Sequence, residues 1–159
     1  MMNKALFTSN SDLWETPQEF FEELNSEFHF TLDACANKDN AKCERYFTEE
    51  ENGLSKSWGG EVVFCNPPYS NISEWVKKCY YESIKPGTIV VLLIPARTDT
   101  RYFHEYIYHR TEIRFVSGRI KFSGKGSAPF PSMVVIFRSG GINGKNGKSD
   151  TGRMGRKLD

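Results

Sequence analysis

Glu61-Val62-Val63-Phe64-Cys65-Asn66-Pro67-Pro68-Tyr69 is an apolar run halted by two prolines. Its β-branched and aromatic side chains favour a buried strand, and the prolines, lacking N–H groups, cannot extend the ladder. Beyond it, Asn71 and Glu74 have cap spacing ahead of Trp75, Val76, Cys79, Tyr80 and Ile84, which predicts a helix closed by Pro86-Gly87. Thr88 to Ile94 follows as the most apolar stretch of the chain and reads as a central parallel strand.

Working outward, Thr16 and Glu19 have capping-box spacing, and Pro17 sits where a first helical residue would stand. Phe20, Phe21, Leu24 and Phe28 continue that helix on one apolar face. Phe28, Phe30 and Leu32 then alternate, predicting a short strand into Asp33. From Ala34 to Gly60 polar residues dominate without periodicity, so a long connection with at most a helical turn is expected. Tyr102, Phe103, Tyr106 and Ile107 predict a further helix, and strands are expected near Glu112–Val116, Ile120–Phe122 and Ser132–Phe137. Strands alternating with helices predict an α/β sheet.

The 159 residues are one domain's worth of chain, with 38% hydrophobic and 26% charged side chains, which argues against wholesale disorder. Residues 1–11 are read as a flexible N-terminus and 12–138 as the folded body. Residues 139–159 hold six of the thirteen glycines and almost nothing apolar, so they are read as a flexible basic tail. The longest strongly apolar run, Ile89 to Ile94, is far short of the ~20 residues a membrane span needs. No apolar N-terminal run long enough for a secretory signal is present, which makes a cytoplasmic setting the expectation. Cys35, Cys43, Cys65 and Cys79 form no Cys-x-x-Cys pair, and no metal-like spacing accompanies His29, His104 or His109. No metal is expected.

In open parallel sheets, ligands bind at the carboxyl ends of the strands. Asp33 and Asn66 stand at two such ends, and Arg97 and Asp99 shortly after a third; Asp99 either caps the next helix or touches substrate. The Asn66 amide oxygen can accept one N–H of an exocyclic amine and the Pro67 carbonyl the other, while Tyr69 offers a ring for a planar base. Two acceptors on one amino nitrogen draw its lone pair out of conjugation and make it a better nucleophile towards a sulfonium methyl group. The bland alternative is that Asn-Pro-Pro merely terminates a strand.

Asn66-Pro67-Pro68-Tyr69 resembles the catalytic motif of S-adenosylmethionine-dependent amino methyltransferases. It stands in order with Trp14-Glu15-Thr16-Pro17, Leu32-Asp33-Ala34-Cys35-Ala36, Pro95-Ala96-Arg97-Thr98-Asp99-Thr100, and Gly118-Arg119-Ile120-Lys121-Phe122 followed by Pro129-Phe130-Pro131-Ser132. The ordered set resembles the phage Dam-type DNA N6-adenine methyltransferase family across residues 12–138. The resemblance implies a compact Rossmann-like methyltransferase sheet, mostly parallel with an antiparallel C-terminal strand. It also implies S-adenosylmethionine as cofactor, a flipped-out adenine of double-stranded DNA as substrate, and a bacterial or phage-infected cytoplasm as setting. On matching positions, Asn66, Pro67, Pro68 and Tyr69 would hold the adenine, and Thr16, Pro17, Asp33, Ala34, Cys35 and Asn66 would meet the cofactor. Thr16 is read equally as a helix cap. Where many methyltransferases place glycines after the first-strand acid, this chain has Asp33-Ala34-Cys35-Ala36-Asn37, with Asn37 or Asn40 able to supply polar contacts. Glu50 and Glu51 stand by position as ribose-binding candidates, or simply as a solvated charge run.

The net charge of +1 conceals a division: 5 basic and 12 acidic residues in 1–60, 11 and 6 in 61–138, and 5 and 2 in 139–159. Residues 97–125 hold seven basic side chains against three acidic ones, which invites a polyanion. Arg97, Arg101, Arg119, Lys121 and Lys125 are the DNA-binding candidates. The 123–131 loop, with Lys125 and Phe130, either faces the opened strand or is an ordinary sheet-edge loop. Rival functions are the same chemistry on RNA or a protein glutamine, and a non-catalytic nucleic-acid-binding protein on a decayed scaffold. With almost no room for a separate recognition domain, a short or relaxed target site is expected; oligomeric state has no signature in the sequence.

Overall fold

The computed structural model describes residues 14–139 and 151–154. In chain order it contains helix α1 (Gln18–Phe28), strands β1 (Leu32–Asp33) and β2 (Val62–Cys65), helix α2 (Ile72–Ser83) and strand β3 (Ile89–Pro95). There follow β4 (Glu112–Val116), β5 (Lys121–Phe122), β6 (Gly126–Ser127), β7 (Ser132–Arg138) and β8 (Thr151–Met154).

Six strands form one mixed sheet in the order β1-β2-β3-β7-β4-β8. β1 pairs parallel with β2 and β2 with β3, Val63 standing opposite Val90 and Cys65 opposite Leu92. β7 runs antiparallel between β3 and β4, and β8 pairs parallel with β4. The expected central strand is therefore parallel on one side only, and the expected antiparallel C-terminal strand of the body is β7, inserted into the sheet rather than at its edge. Because β1, β2 and β3 share a direction, Asp33, Asn66 and Ala96 emerge at one edge.

Burial on both faces explains why β3 reads as an unbroken apolar run. Val90, Leu92 and Ile94 pack on the side that carries Trp75, Val76 and Cys79 of α2, whereas Val91 and Leu93 pack on the side that carries Phe20, Phe21 and Leu24 of α1. Each fully buried side chain of this kind contributes roughly 1.5–3 kcal/mol, so the three-layer arrangement holds the strand ends in place.

Four local expectations are corrected. Thr16 and Glu19 make no capping box: α1 begins at Gln18 with Pro17 as its N-cap and no side-chain cap bond, because the Thr16 hydroxyl is engaged by Asn66. Asn71 caps α2 without a side-chain bond, since the chain enters through a 3-10 turn over Tyr69–Asn71. The helix expected around Tyr102–Ile107 is a π-helical turn over Phe103–Ile107, opened by Thr100 rather than Asp99, the Phe103 N–H donating to the Thr100 hydroxyl at 3.3 Å. β5 leaves the main sheet to pair with β6 as a two-stranded ribbon. Within the expected tail, Thr151–Met154 lies along β4 as a strand; the rest of 140–159 and the expected flexible segment 1–11 lie outside the described residues.

Candidate active site

Asn66 follows directly on β2. Its side-chain N–H groups donate to the Trp14 carbonyl and, at 2.9 Å, to Thr16 Oγ1. A carbonyl can only accept, so the amide nitrogen and not its oxygen must face Trp14. Asn66 Oδ1 is left buried with no hydrogen-bond partner among the described residues. Such an orphaned acceptor costs roughly 1–3 kcal/mol, and a ligand N–H arriving there recovers that cost.

A cavity of about 490 Å³ opens beside Asn66. Asp33, Ala34 and Cys35 form one wall, with Thr16, Asn66, Pro67 and Pro68 alongside. Pro17 takes no part in the lining; its carbonyl accepts the Phe21 N–H at 3.1 Å inside α1. Asp33 is 3% exposed, and its two carboxylate oxygens accept the N–H groups of Lys42 at 2.9 Å and Cys35 at 3.4 Å. Burial pushes its carboxyl up to about 6, against the pull of those two bonds. The acid thus fastens the start of the 34–42 loop while presenting negative charge to the cavity. Burial also pushes the Cys35 thiol up to about 12, which keeps it neutral and unreactive.

Beside that wall, the 48–54 turn lines the cavity with Thr48, Glu49, Asn52, Gly53 and Leu54, a stretch without periodicity in the sequence. Thr48 and Glu51 form a reciprocal box: Glu51 Oε1 accepts the Thr48 N–H at 2.9 Å and the Thr48 hydroxyl accepts the Glu51 N–H at 3.3 Å. Glu51 is thereby occupied, Glu50 is exposed, and Glu49 is the acid that lines the cavity, together with Asn52. The Thr-x-x-Glu spacing at 48–51 is the signal that would have found this turn. Gly53 completes it: a side-chain carbon there would stand 2.3 Å from the Ala34 carbonyl oxygen. Close backbone approach is thus supplied by Gly53, packed onto a strand end that itself lacks glycine.

Tyr69 stands beside the cavity in an aromatic group. Its ring lies 15° from parallel to Trp14 with centroids 6.4 Å apart, and Phe130 meets Trp14 and Tyr69 edge-on at 5.1 and 5.6 Å. The Tyr69 hydroxyl is buried without a hydrogen bond among the described residues, and burial drives its pKa upward, the nearby Arg97 opposing the shift. The 123–131 loop packs onto this group. Lys125 Nζ sits 4.7 Å over the Trp14 ring, and the Ser123 N–H donates to the Glu15 carbonyl at 3.0 Å. Arg97, Arg101, Arg119 and Lys121 are exposed, Arg101 lying 4.0 Å from Glu105 and Arg119 donating to the Ala128 carbonyl at 3.4 Å. Arg114, also of the basic stretch, is instead held by Glu27 at 2.7 and 2.8 Å and by Glu112 at 2.7 Å.

An amide held by its nitrogen at a strand end, with its oxygen left open ahead of two prolines and an aromatic ring, suits recognition of an amino group, as in amino-group methyltransferases. The chain belongs to the DNA N-6-adenine-methyltransferase (Dam) family, whose family model matches residues 4–153. It is 31% identical over 138 residues to the DNA N-6-adenine-methyltransferase of Haemophilus phage HP1 (strain HP1c1), covering 81% of this chain and 80% of that protein. It is 32% identical over 143 residues to the DNA N-6-adenine-methyltransferase of Escherichia phage T1, covering 89% of this chain and 58% of that longer protein.

Proposed function

We propose that the chain methylates the N6 amine of adenine in double-stranded DNA, using S-adenosylmethionine. The observation that carries this is the buried, partnerless Asn66 Oδ1, whose amide nitrogen is already committed to Trp14 and Thr16. An amide so held accepts an amine N–H and presents no donor to a keto oxygen. Asn66 Oδ1 and the Pro67 carbonyl take the two N6 hydrogens, localising the lone pair, and Tyr69 provides a stacking face for the ring. N–H acidity rises only as the new N–C bond forms, so no general base is needed before attack, and the surplus proton leaves to solvent afterwards. Taking the adenine out of the duplex costs a few kcal/mol, which stacking and the filled Asn66 acceptor offset.

The cavity fits the cofactor by size and donor set. About 490 Å³ accommodates a nucleoside with its amino-acid arm, and the buried acid Asp33 suits a cationic ligand. Bound there, S-adenosylmethionine would supply an electrophilic sulfonium methyl group, whose bond to sulfur breaks on transfer and leaves the neutral thioether S-adenosylhomocysteine. Asp33, Ala34 and Cys35 would hold its methionine end, and Glu49 is assigned to the ribose hydroxyls. Arg97, Arg119, Lys121 and Lys125 are assigned to DNA phosphates near the opened strand, with Arg101 further along the basic stretch. The sheet is assigned to the Rossmann-like methyltransferase type, with the parallel run β1–β3 in support.

The test is transfer of tritiated methyl from S-adenosylmethionine to DNA, RNA and protein offered in competition. Label recovered as N6-methyladenine in DNA is the expected result; label on RNA or glutamine, or none at saturating cofactor, overturns it.

A further inference from the structure

We propose that Thr16 is a positioning residue that acts through Asn66, steadying the catalytic amide in the sense that the Trp14 carbonyl sets. This rests on Asn66 being the acceptor for the target amine and adds the device that steadies it.

An asparagine side chain has two ends of similar size and opposite hydrogen-bonding sense. In the site described, only its oxygen end is useful, so something must forbid the flipped state. One group does so and a second steadies it. The Trp14 carbonyl accepts one N–H, and Thr16 Oγ1 accepts the other at 2.9 Å. Flipping would set Oδ1 against the Trp14 carbonyl oxygen, two acceptors face to face. The Thr16 hydroxyl alone would tolerate either state, because it can donate as well as accept; with its lone pair turned to Nδ2 it adds to the bias and steadies the amide.

Thr16 is built for constancy. It is 3% exposed, and it precedes Pro17, whose ring restricts the residue before it to extended backbone. The amide therefore sits in a rigid cradle 50 residues away in sequence, and little ordering remains when the substrate arrives. Pre-set orientation of this kind lowers the barrier without adding to ground-state affinity.

The Trp14 contact is a main-chain carbonyl, so Thr16 is the half that mutation can reach. Thr16→Val keeps the shape and removes the acceptor, while Thr16→Ser keeps the acceptor. With unmethylated, PCR-amplified DNA at saturating cofactor, kcat for Thr16→Val should fall roughly tenfold or more. Its dissociation constant for S-adenosylhomocysteine should stay within about threefold of the parent, and Thr16→Ser should regain most of kcat. If Thr16→Val loses cofactor affinity while saturated kcat is unchanged, Thr16 is a cofactor contact and the proposal is overturned. A second measurement on the unaltered protein stands even if Thr16→Val does not fold. Both side-chain amide protons of Asn66 should be protected from solvent exchange by NMR, and rapid exchange of either contradicts the cradle. That readout also separates the two levels of assignment: protected protons in a protein that methylates no DNA would sink the proposed function while leaving the lock intact.

Discussion

With Asp33 assigned to the cofactor cavity as proposed, cofactor binding should weaken as pH falls. The carboxyl is almost wholly buried, and its pKa rises from the ordinary 3.8 to about 6 because burial outweighs the N–H groups of Lys42 and Cys35. An acid whose folded value lies above its unfolded one takes up its proton more readily in the folded chain. Its ionisation therefore costs the fold nothing below about pH 3.8, and about 3 kcal/mol once pH has passed about 6. A sulfonium ligand in the cavity favours the ionised form, so binding below pH 6 must expel a proton. The dissociation constant for S-adenosylmethionine should be flat above about pH 7 and roughly tenfold weaker by pH 5. Titration calorimetry between pH 5 and 8 measures this directly, and buffers of different ionisation enthalpy count the proton released. Asp33→Asn should bind more weakly throughout and lose the pH dependence. A parent protein whose affinity is unchanged from pH 8 to 5, or an Asp33→Asn variant that keeps the same slope, would show that Asp33 does not face the bound cofactor.

Gly53→Ala should destabilise the protein by about 1–3 kcal/mol and weaken cofactor binding, because the new methyl meets the Ala34 carbonyl at 2.3 Å; thermal unfolding and calorimetry report both, and a neutral result would show that the two segments do not press together. Replacing Arg119 and Lys121 by glutamine should weaken DNA binding and reduce the slope of log affinity against log salt by roughly one per residue. Arg114→Gln, by contrast, should leave that slope alone and lower the melting temperature, since Arg114 already holds Glu27 and Glu112. Equal salt effects from all three positions would remove the distinction between the proposed DNA face and the structural ion pairs.

The strands were legible where both faces are buried. Residues 89–95 and 132–138 carry apolar side chains at nearly every position, and no surface placement satisfies such a run. Asn66 was legible because two prolines after an apolar strand leave few structures open. The 48–54 turn was not, since 34–60 has no periodicity and the Thr48–Glu51 spacing is a single local signal. Position alone points to Glu50 and Glu51, whereas Glu49 is the one of the three that lines the cavity. Thr16 shows a second limit: cap spacing describes neighbours along the chain, and its actual partner is 50 residues away. The same holds for Arg114, whose charge counted towards the basic stretch although Glu27, 87 residues distant, engages it. β8 carried no apolar signature, because an edge strand can be held by backbone pairing alone.

The acceptor role of Asn66 is tested most directly by single-turnover methyl transfer to DNA with Asn66→Ala at saturating S-adenosylmethionine. The parent should label adenine N6, and the variant should bind cofactor within about threefold yet transfer roughly a hundred- to a thousandfold more slowly. Transfer by Asn66→Ala within about tenfold of the parent would contradict the account.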